Sequence, residues 1–233
     1  MARVSIILPT YNERESITAL IAHLLELVEG AEVVVVDDDS PDATAQAVEE
    51  AFGGNEQVKL IVRKGERGLA TAIWRGIQAT HSPLIGLMDS DFNHRPEDMA
   101  RLVKAAEETV VDIAIGSRFR RGGGMEGARV RWFFSWAFNL WLRLVLGVRT
   151  TDNLSGFMVI RREVLEQLGG EELFVGYGDY AIRLLKRAQA AGLKIKEIPV
   201  VYGPRMGGES KTRFVHHLIQ YTRTALELRR KGW

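Results

Sequence analysis

Leu84-Ile85-Gly86-Leu87-Met88-Asp89-Ser90-Asp91 carries an apolar run directly into two carboxylates. A short apolar run with polar residues at each end reads as a strand buried on both faces, and the acids mark where the chain leaves the sheet. The same pattern recurs on either side. Val4-Ser5-Ile6-Ile7-Leu8 stops at Pro9, and residues 32–36, nearly all valine, stop at Asp37-Asp38-Asp39. Residues 58–62 and 112–116 make two further strands, the second followed by Ser117-Arg118. Between them, apolar residues at helical spacing predict helices over 15–28, 43–51, 68–80 and 96–109. Ser40 is placed as the N-cap of the second helix and Pro41 as its first residue. Strands alternating with helices predict an α/β fold with a mostly parallel, doubly wound sheet that binds ligands beyond the carboxyl ends of its strands. The polar clusters fall at those ends.

The second half is less regular. It is read as an aromatic helix over 132–148, a strand over 157–160, helices near 162–168 and 179–192, a strand over 195–201 and a closing helix with a basic stretch, 223–231. Trp132, Phe133, Phe134, Trp136, Phe138 and Trp141 crowd the first of these, flanked by Arg129, Arg131 and Arg149. Asn139 and Arg143 interrupt it, and it is short for a bilayer span. An amphipathic helix lying in a membrane interface fits that composition; a buried core helix is the alternative.

At 233 residues, 46% hydrophobic and 26% charged, the chain is expected to form one folded domain. Its two halves are residues 1–118, where strands and helices alternate regularly, and residues 119–233, where they do not. A net charge of +1 gives no overall attraction to nucleic acid. Without cysteine there is no disulfide framework and no thiolate metal site. Met1-Ala2-Arg3 enters the first strand without a secretory signal pattern, which predicts a cytoplasmic protein.

Carboxylate oxygens are the ligands that Mg²⁺ or Mn²⁺ prefers, often bridging to substrate phosphates. In an extended strand Asp89 and Asp91 would face one side, whereas a bend after Asp89 would divide them between metal and nucleotide. Asn93 would add an amide oxygen, and a solvated turn is the plain alternative. Asp38 suits a base N–H or a ribose diol, with helix capping as its alternative role. His94 is read as a metal ligand, a base, or neither. Gly65-Glu66-Arg67-Gly68 would allow close backbone approach to a nucleotide, although it lacks the Lys-Ser/Thr of a P-loop. Arg118, Arg120 and Arg121 followed by Gly122-Gly123-Gly124 read as a mobile lid or a solvated loop. Pro204-Arg205-Met206-Gly207-Gly208-Glu209-Ser210-Lys211 would fold over a diphosphate, or stay exposed.

Six segments in order, Pro9-Thr10-Tyr11-Asn12-Glu13, Val36 to Asp42, Met88 to Asp91, Gly116 to Arg118, Asp152 to Phe157 and Gly208 to Lys211, resemble the polyprenol (dolichol) phosphate mannosyltransferases. These are inverting family 2 glycosyltransferases of the GT-A fold. The resemblance implies transfer of mannose from GDP-mannose to a polyprenyl phosphate, with Mg²⁺ or Mn²⁺, at the cytoplasmic membrane face. It places Pro9, Tyr11, Glu13, Val36, Asp38 and Ser90 with the nucleotide and Asp89, Asp91 and Asn93 with the metal. Arg118, Arg131, Arg205 and Lys211 would surround the diphosphate and the acceptor phosphate, with Ser155 at the latter; Asp89, Asp91 and Arg118 are the catalytic candidates. A UDP-sugar transferase acting on the same acceptor and a non-catalytic sugar-nucleotide-binding protein are the alternatives.

The chain departs from that pattern in three places. Asn93 stands for the usual Gln, Asp179 for an aromatic or apolar residue, and Ile182 for a common acid, so the sugar is expected to depend on the last two. Many relatives continue into transmembrane helices. Here membrane contact would rest on the aromatic helix or on a separate membrane-anchoring subunit.

Overall fold

The first strand, β1 (Val4–Thr10), sends Val4, Ile6 and Leu8 into one core and Ile7 into another, so both faces of the sheet are covered at its centre. Beside it β2 (Ala31–Asp37) does the same, with Val33 and Val35 on one face and Val34 and Val36 on the other. A side-chain period of two with both faces buried is what turns a strand into an unbroken valine run. The computed structural model describes residues 2–127, 129–204 and 214–231.

The chain continues through α1 (Ile17–Leu27), α2 (Thr44–Phe52), β3 (Val58–Val62), α3 (Leu69–Gln78), β4 (Leu84–Leu87), α4 (Pro96–Ala106) and β5 (Ile113–Ser117). It goes on through β6 (Gly124–Met125), α5 (Arg129–Leu146), β7 (Met158–Arg161), α6 (Arg162–Gln167), α7 (Tyr180–Ala190), β8 (Ile195–Pro199), β9 (Val201–Tyr202) and α8 (Phe214–Arg230). Among the described residues the main sheet runs β3-β2-β1-β4-β7-β5-β8, with only β7 antiparallel to its neighbours. From β1 the chain winds outward to β3 and then returns to β4 on the other side. The β1/β4 boundary is therefore a topological switch point, where a crevice opens beyond the carboxyl ends. Asp89 to Asp91 follow β4 at that boundary.

Helices α1 and α4 cover one face through Ile17, Leu20, Met99 and Leu102, and α3, α6 and α7 cover the other through Ile73, Leu165 and Leu184. Burying each such side chain contributes about 1.5–3 kcal/mol. A third cluster, with Leu142, Leu146, Ile182 and Leu228, packs α5 and α8 against α7.

Three expectations change. Helix α2 does not start at Ser40-Pro41, because the Asp37 carboxylate accepts the Ser40 N–H at 2.8 Å and also its hydroxyl. The helix begins at Thr44, whose N–H donates to Asp42 at 3.0 Å. The strand expected over 195–201 divides after Pro199, and β9 leaves the main sheet to pair with β6. Gly124 N–H donates to the Val200 carbonyl and Glu126 N–H to that of Tyr202, so the last of the three glycines enters a short parallel ribbon.

The core reading of the aromatic helix is also set aside. In α5 only Asn139, Leu142 and Leu146 are buried, while Val130 is 71% and Leu144 76% exposed, with Phe133, Phe134, Trp136 and Leu140 exposed as well. Among the described residues no helix is long and apolar enough to cross a membrane.

Candidate active site

A cavity of about 610 Å³ opens at the carboxyl ends of the strands. Pro9 at the end of β1, Tyr11 and Glu13 just after it, Asp38 after β2, Asp89, Ser90, Asp91 and Asn93 after β4, and Arg118 after β5 all line it. Arg131, Phe134, Ser135 and Phe138 reach it from α5; Arg131 and Ser135 share one face of the helix because they are four residues apart. The loops beneath are strained. All four non-glycine residues of positive φ among those described, Asn12, Asp39, Ala43 and Phe92, lie in the loops after β1, β2 and β4. Such backbone costs roughly 1–3 kcal/mol each and persists where the surroundings over-determine it, commonly at functional sites.

Asp38 is held from two directions. Arg63 donates to Oδ1 from Nε at 2.7 Å and from Nη2, and the Gly68 N–H donates to Oδ2 at 2.9 Å. Its carboxylate thus fixes the glycine turn at the start of α3. Beside it, Arg67 lies over the Tyr11 ring, 4.2 Å from its centroid, and donates to the Tyr11 hydroxyl.

The bend at residues 90–94, with Phe92 at φ 60°, ends the strand alternation and gives the two acids of the Asp-x-Asp different surroundings. The Asp89 side chain is 50% exposed, whereas Asp91 is buried and accepts the Asn93 N–H at 3.0 Å and its side-chain amide at 2.8 Å. Ser90 braces the same bend: its hydroxyl donates to the Pro9 carbonyl at 3.0 Å, which ties the ends of β1 and β4 together.

Arg118 is buried but for the part that lines the cavity and is paired with Asp152, Nε to Oδ2 at 2.7 Å and Nη2 to Oδ1 at 2.8 Å, and its own N–H donates to Oδ2. Burial works against its charge, but the carboxylate fork more than offsets this and raises its pKa. It also lies over the Tyr202 ring, 4.7 Å from the centroid. Tyr177, Tyr180, Tyr202 and Tyr221 line the cavity too, so all five tyrosines of the chain meet here. Burial above all, with a contribution from Asp89, raises the pKa of Tyr180, Tyr202 and Tyr221, so these hydroxyls stay neutral.

A parallel sheet with one antiparallel insert, a switch-point cavity and acids at its rim is matched by a known family. The model of glycosyl transferase family 2 covers residues 5–169. The chain belongs to that family. It is 37% identical over 224 residues to a dolichol-phosphate mannosyltransferase of Pyrococcus furiosus, covering 91% of this chain and 59% of that protein's length. It is 33% identical to an undecaprenyl-phosphate mannosyltransferase of Micrococcus luteus, covering 90% of this chain and 87% of that one. Glucosyl-3-phosphoglycerate synthase of Mycobacterium tuberculosis, solved with Mn²⁺, UDP and phosphoglyceric acid, superposes with a TM-score of 0.74 at 23% identity, over 98% of this chain and 78% of that one. The fold is GT-A.

Not every residue singled out in the sequence reaches the cavity. The Val36 side chain faces the core under α3, because the strand period turns it away from the rim. Ser155 is fully buried, its hydroxyl 3.1 Å from that of Tyr202 and accepting the Phe157 N–H, which leaves it no path to an acceptor phosphate. Asp179 also lies away from the cavity wall, paired with Arg183 and bonded by Thr224 and Gln220 of α8. Ile182 packs in the third core. Arg205 and Lys211, with the rest of residues 205–213, lie outside the described residues.

Arg63, Asp152 and the tyrosines of the second half carried no role in the sequence reading. Arg63 had a usable signal, a charged residue directly after a strand. The tyrosines had none, since isolated aromatics are usually core.

His94 proves to be neither base nor metal ligand. It is buried, stacked on Phe157 at 4.4 Å, and its Nδ1 accepts the Asp89 N–H at 3.2 Å. The proton therefore sits on Nε2, 3.9 Å from the Asp89 carboxylate, and neither nitrogen offers a free lone pair. Burial lowers its pKa from 6.5 to about 4, against the pull of Asp91. The unfolded chain protonates first as pH falls. Stability is thus full above pH 6.5 and declines toward pH 4, by up to about 1.4 kcal/mol per pH unit. Urea unfolding across that range should slope more steeply in the wild type than in His94→Gln; equal slopes would assign the loss to other groups.

Proposed function

We propose that the chain transfers mannose from GDP-mannose to a polyprenyl phosphate with inversion, residues 1–118 serving the donor and 119–233 the acceptor. The observation that carries this reading is the gathering of Asp89, Asp91, Arg118 and Arg131 around one cavity at the switch point, in a family whose similar members are named for mannosyl transfer to lipid phosphates.

An acceptor phosphate is already anionic near neutral pH, so its oxygen attacks the anomeric carbon directly. That C–O bond forms as the bond to the donor's diphosphate breaks, and the electron pair leaves with the nucleoside diphosphate. No general base is needed, which agrees with a His94 that has no free lone pair. Arg118, kept charged and aimed by Asp152, stabilises the departing or attacking phosphate, and Arg131 adds a second charge from α5. Pro9, Tyr11, Glu13 and Asp38 form the nucleoside end of the cavity.

The donor set fits a divalent ion. Among the described residues no three His, Cys, Asp or Glu cluster to form a full cage. Mg²⁺, however, is usually held by one or two carboxylates together with substrate phosphates. Asp89 and Asp91 would hold Mg²⁺ or Mn²⁺, with the Asn93 amide oxygen near, and the ion would neutralise the diphosphate's charge. Calorimetry with Mn²⁺ tests the donor: GDP-mannose should bind more tightly than UDP-glucose, and the reverse order would overturn the assignment.

The exposed aromatic face of α5, which includes the cavity-lining Phe134, is read as the surface that meets the membrane. Replacing Phe133 and Trp136 by Ser should weaken vesicle binding by about tenfold or more. Thermal stability should hardly change, because both side chains are exposed. Undiminished sedimentation with vesicles would move the contact elsewhere.

A further inference from the structure

We infer that Tyr180 reads the transferred sugar, its phenol hydroxyl donating a hydrogen bond to a hydroxyl of the donor's glycosyl unit. This rests on the proposed function and names the subsite within it. Tyr180 is the first residue of α7, and its ring closes a column of three: Trp74 stacks on Phe174 at 5.7 Å, and Phe174 on Tyr180 at 5.4 Å. The helix start is fixed as well. Asp179, fully buried, accepts the Tyr177 N–H at 2.9 Å and the Thr224 hydroxyl at 2.8 Å and pairs with Arg183, locking α7 to α8. Ring and backbone are both immobilised, which places the hydroxyl accurately.

That hydroxyl stands against Gly156, where a β-carbon would overlap it, and both residues line the cavity. Among the described residues no protein group hydrogen-bonds it, whereas the Tyr202 hydroxyl is taken up by Ser155. Among the described residues Asp89 is the charged group that acts on Tyr180, and both line the cavity. A sugar hydroxyl suits this place, since it accepts from the phenol and can still donate to a further oxygen in the cavity. The departure from the family pattern at Asp179 then bears on the sugar indirectly, through the residue it holds in place.

Calorimetry in Mn²⁺ separates this role from a structural one. For wild type and Tyr180→Phe, affinities for GDP and GDP-mannose are compared, with UDP and UDP-glucose run in parallel and the comparison drawn on the donor that the wild type binds. The substitution keeps the ring column and removes one oxygen. The sugar nucleotide should weaken by about 3–10-fold while the free nucleotide stays within about twofold. Equal weakening of both, or of neither, overturns the inference. A wild type that binds none of the four overturns the proposed function itself, and the inference with it.

Discussion

Arg118→Ala should lose transfer by about two to three orders of magnitude, as expected when one preorganised charge partner is removed from a reaction centre. It should also unfold more easily. The Asp152 carboxylate is fully buried, and its side-chain partners are two nitrogens of Arg118. Removing the guanidinium strands a charge whose remaining donor among the described residues is the residue 118 N–H, a loss that typically costs about 3–5 kcal/mol. Arg118→Lys separates the two effects: it restores a charge without the planar fork, so stability should recover further than rate. Urea melts and initial rates on the three proteins give both numbers. A loss of only about twofold in rate would place Arg118 outside the reaction centre, since even one exposed ion pair spans that range.

Asp89→Ala is expected to be nearly silent for stability and severe for function. Half of the Asp89 side chain is exposed, so its removal disturbs little packing. Donor binding should lose its dependence on Mn²⁺, and transfer should fall by about 10²–10³-fold or more. Asp91→Ala behaves differently because Asp91 also holds the loop through Asn93. That variant should lose both transfer and part of its stability. If GDP-mannose affinity in Asp89→Ala still rises on adding Mn²⁺ as it does in the wild type, the ion is held by other groups.

Much of this arrangement was legible in the chain because it depends on local rules. Strand β3 falls where its apolar run predicted, and the valines of β2 announced a sheet covered on both faces. Acids and arginines directly after strands found the rim of the cavity, because a strand's end is fixed by the same residues that begin its loop. What escaped was set by distant partners. Nothing near Asp38 reveals that Arg63 clasps it, and Arg118 and Asp152 are 34 positions apart. The start of α2 was misplaced because Ser40 has two competing uses, and the Asp37 carboxylate captures it before it can cap. Ser155 looked like a phosphate ligand within its motif, yet the fold turns its hydroxyl toward Tyr202. The face of α5 was ambiguous for another reason: an aromatic helix buries whichever stripe a neighbour meets, and only the packing against α7 and α8 decides that Asn139, Leu142 and Leu146 turn inward.

The central claim, mannosyl transfer to a lipid phosphate, is met most directly by incubating the purified protein with radiolabelled GDP-mannose, Mn²⁺ and a polyprenyl phosphate, then partitioning between water and organic solvent. Label should enter the organic phase only when the lipid phosphate and the divalent ion are both present, and Arg118→Ala should remove the signal. Label confined to the aqueous phase, from a protein that binds GDP-mannose, would contradict it.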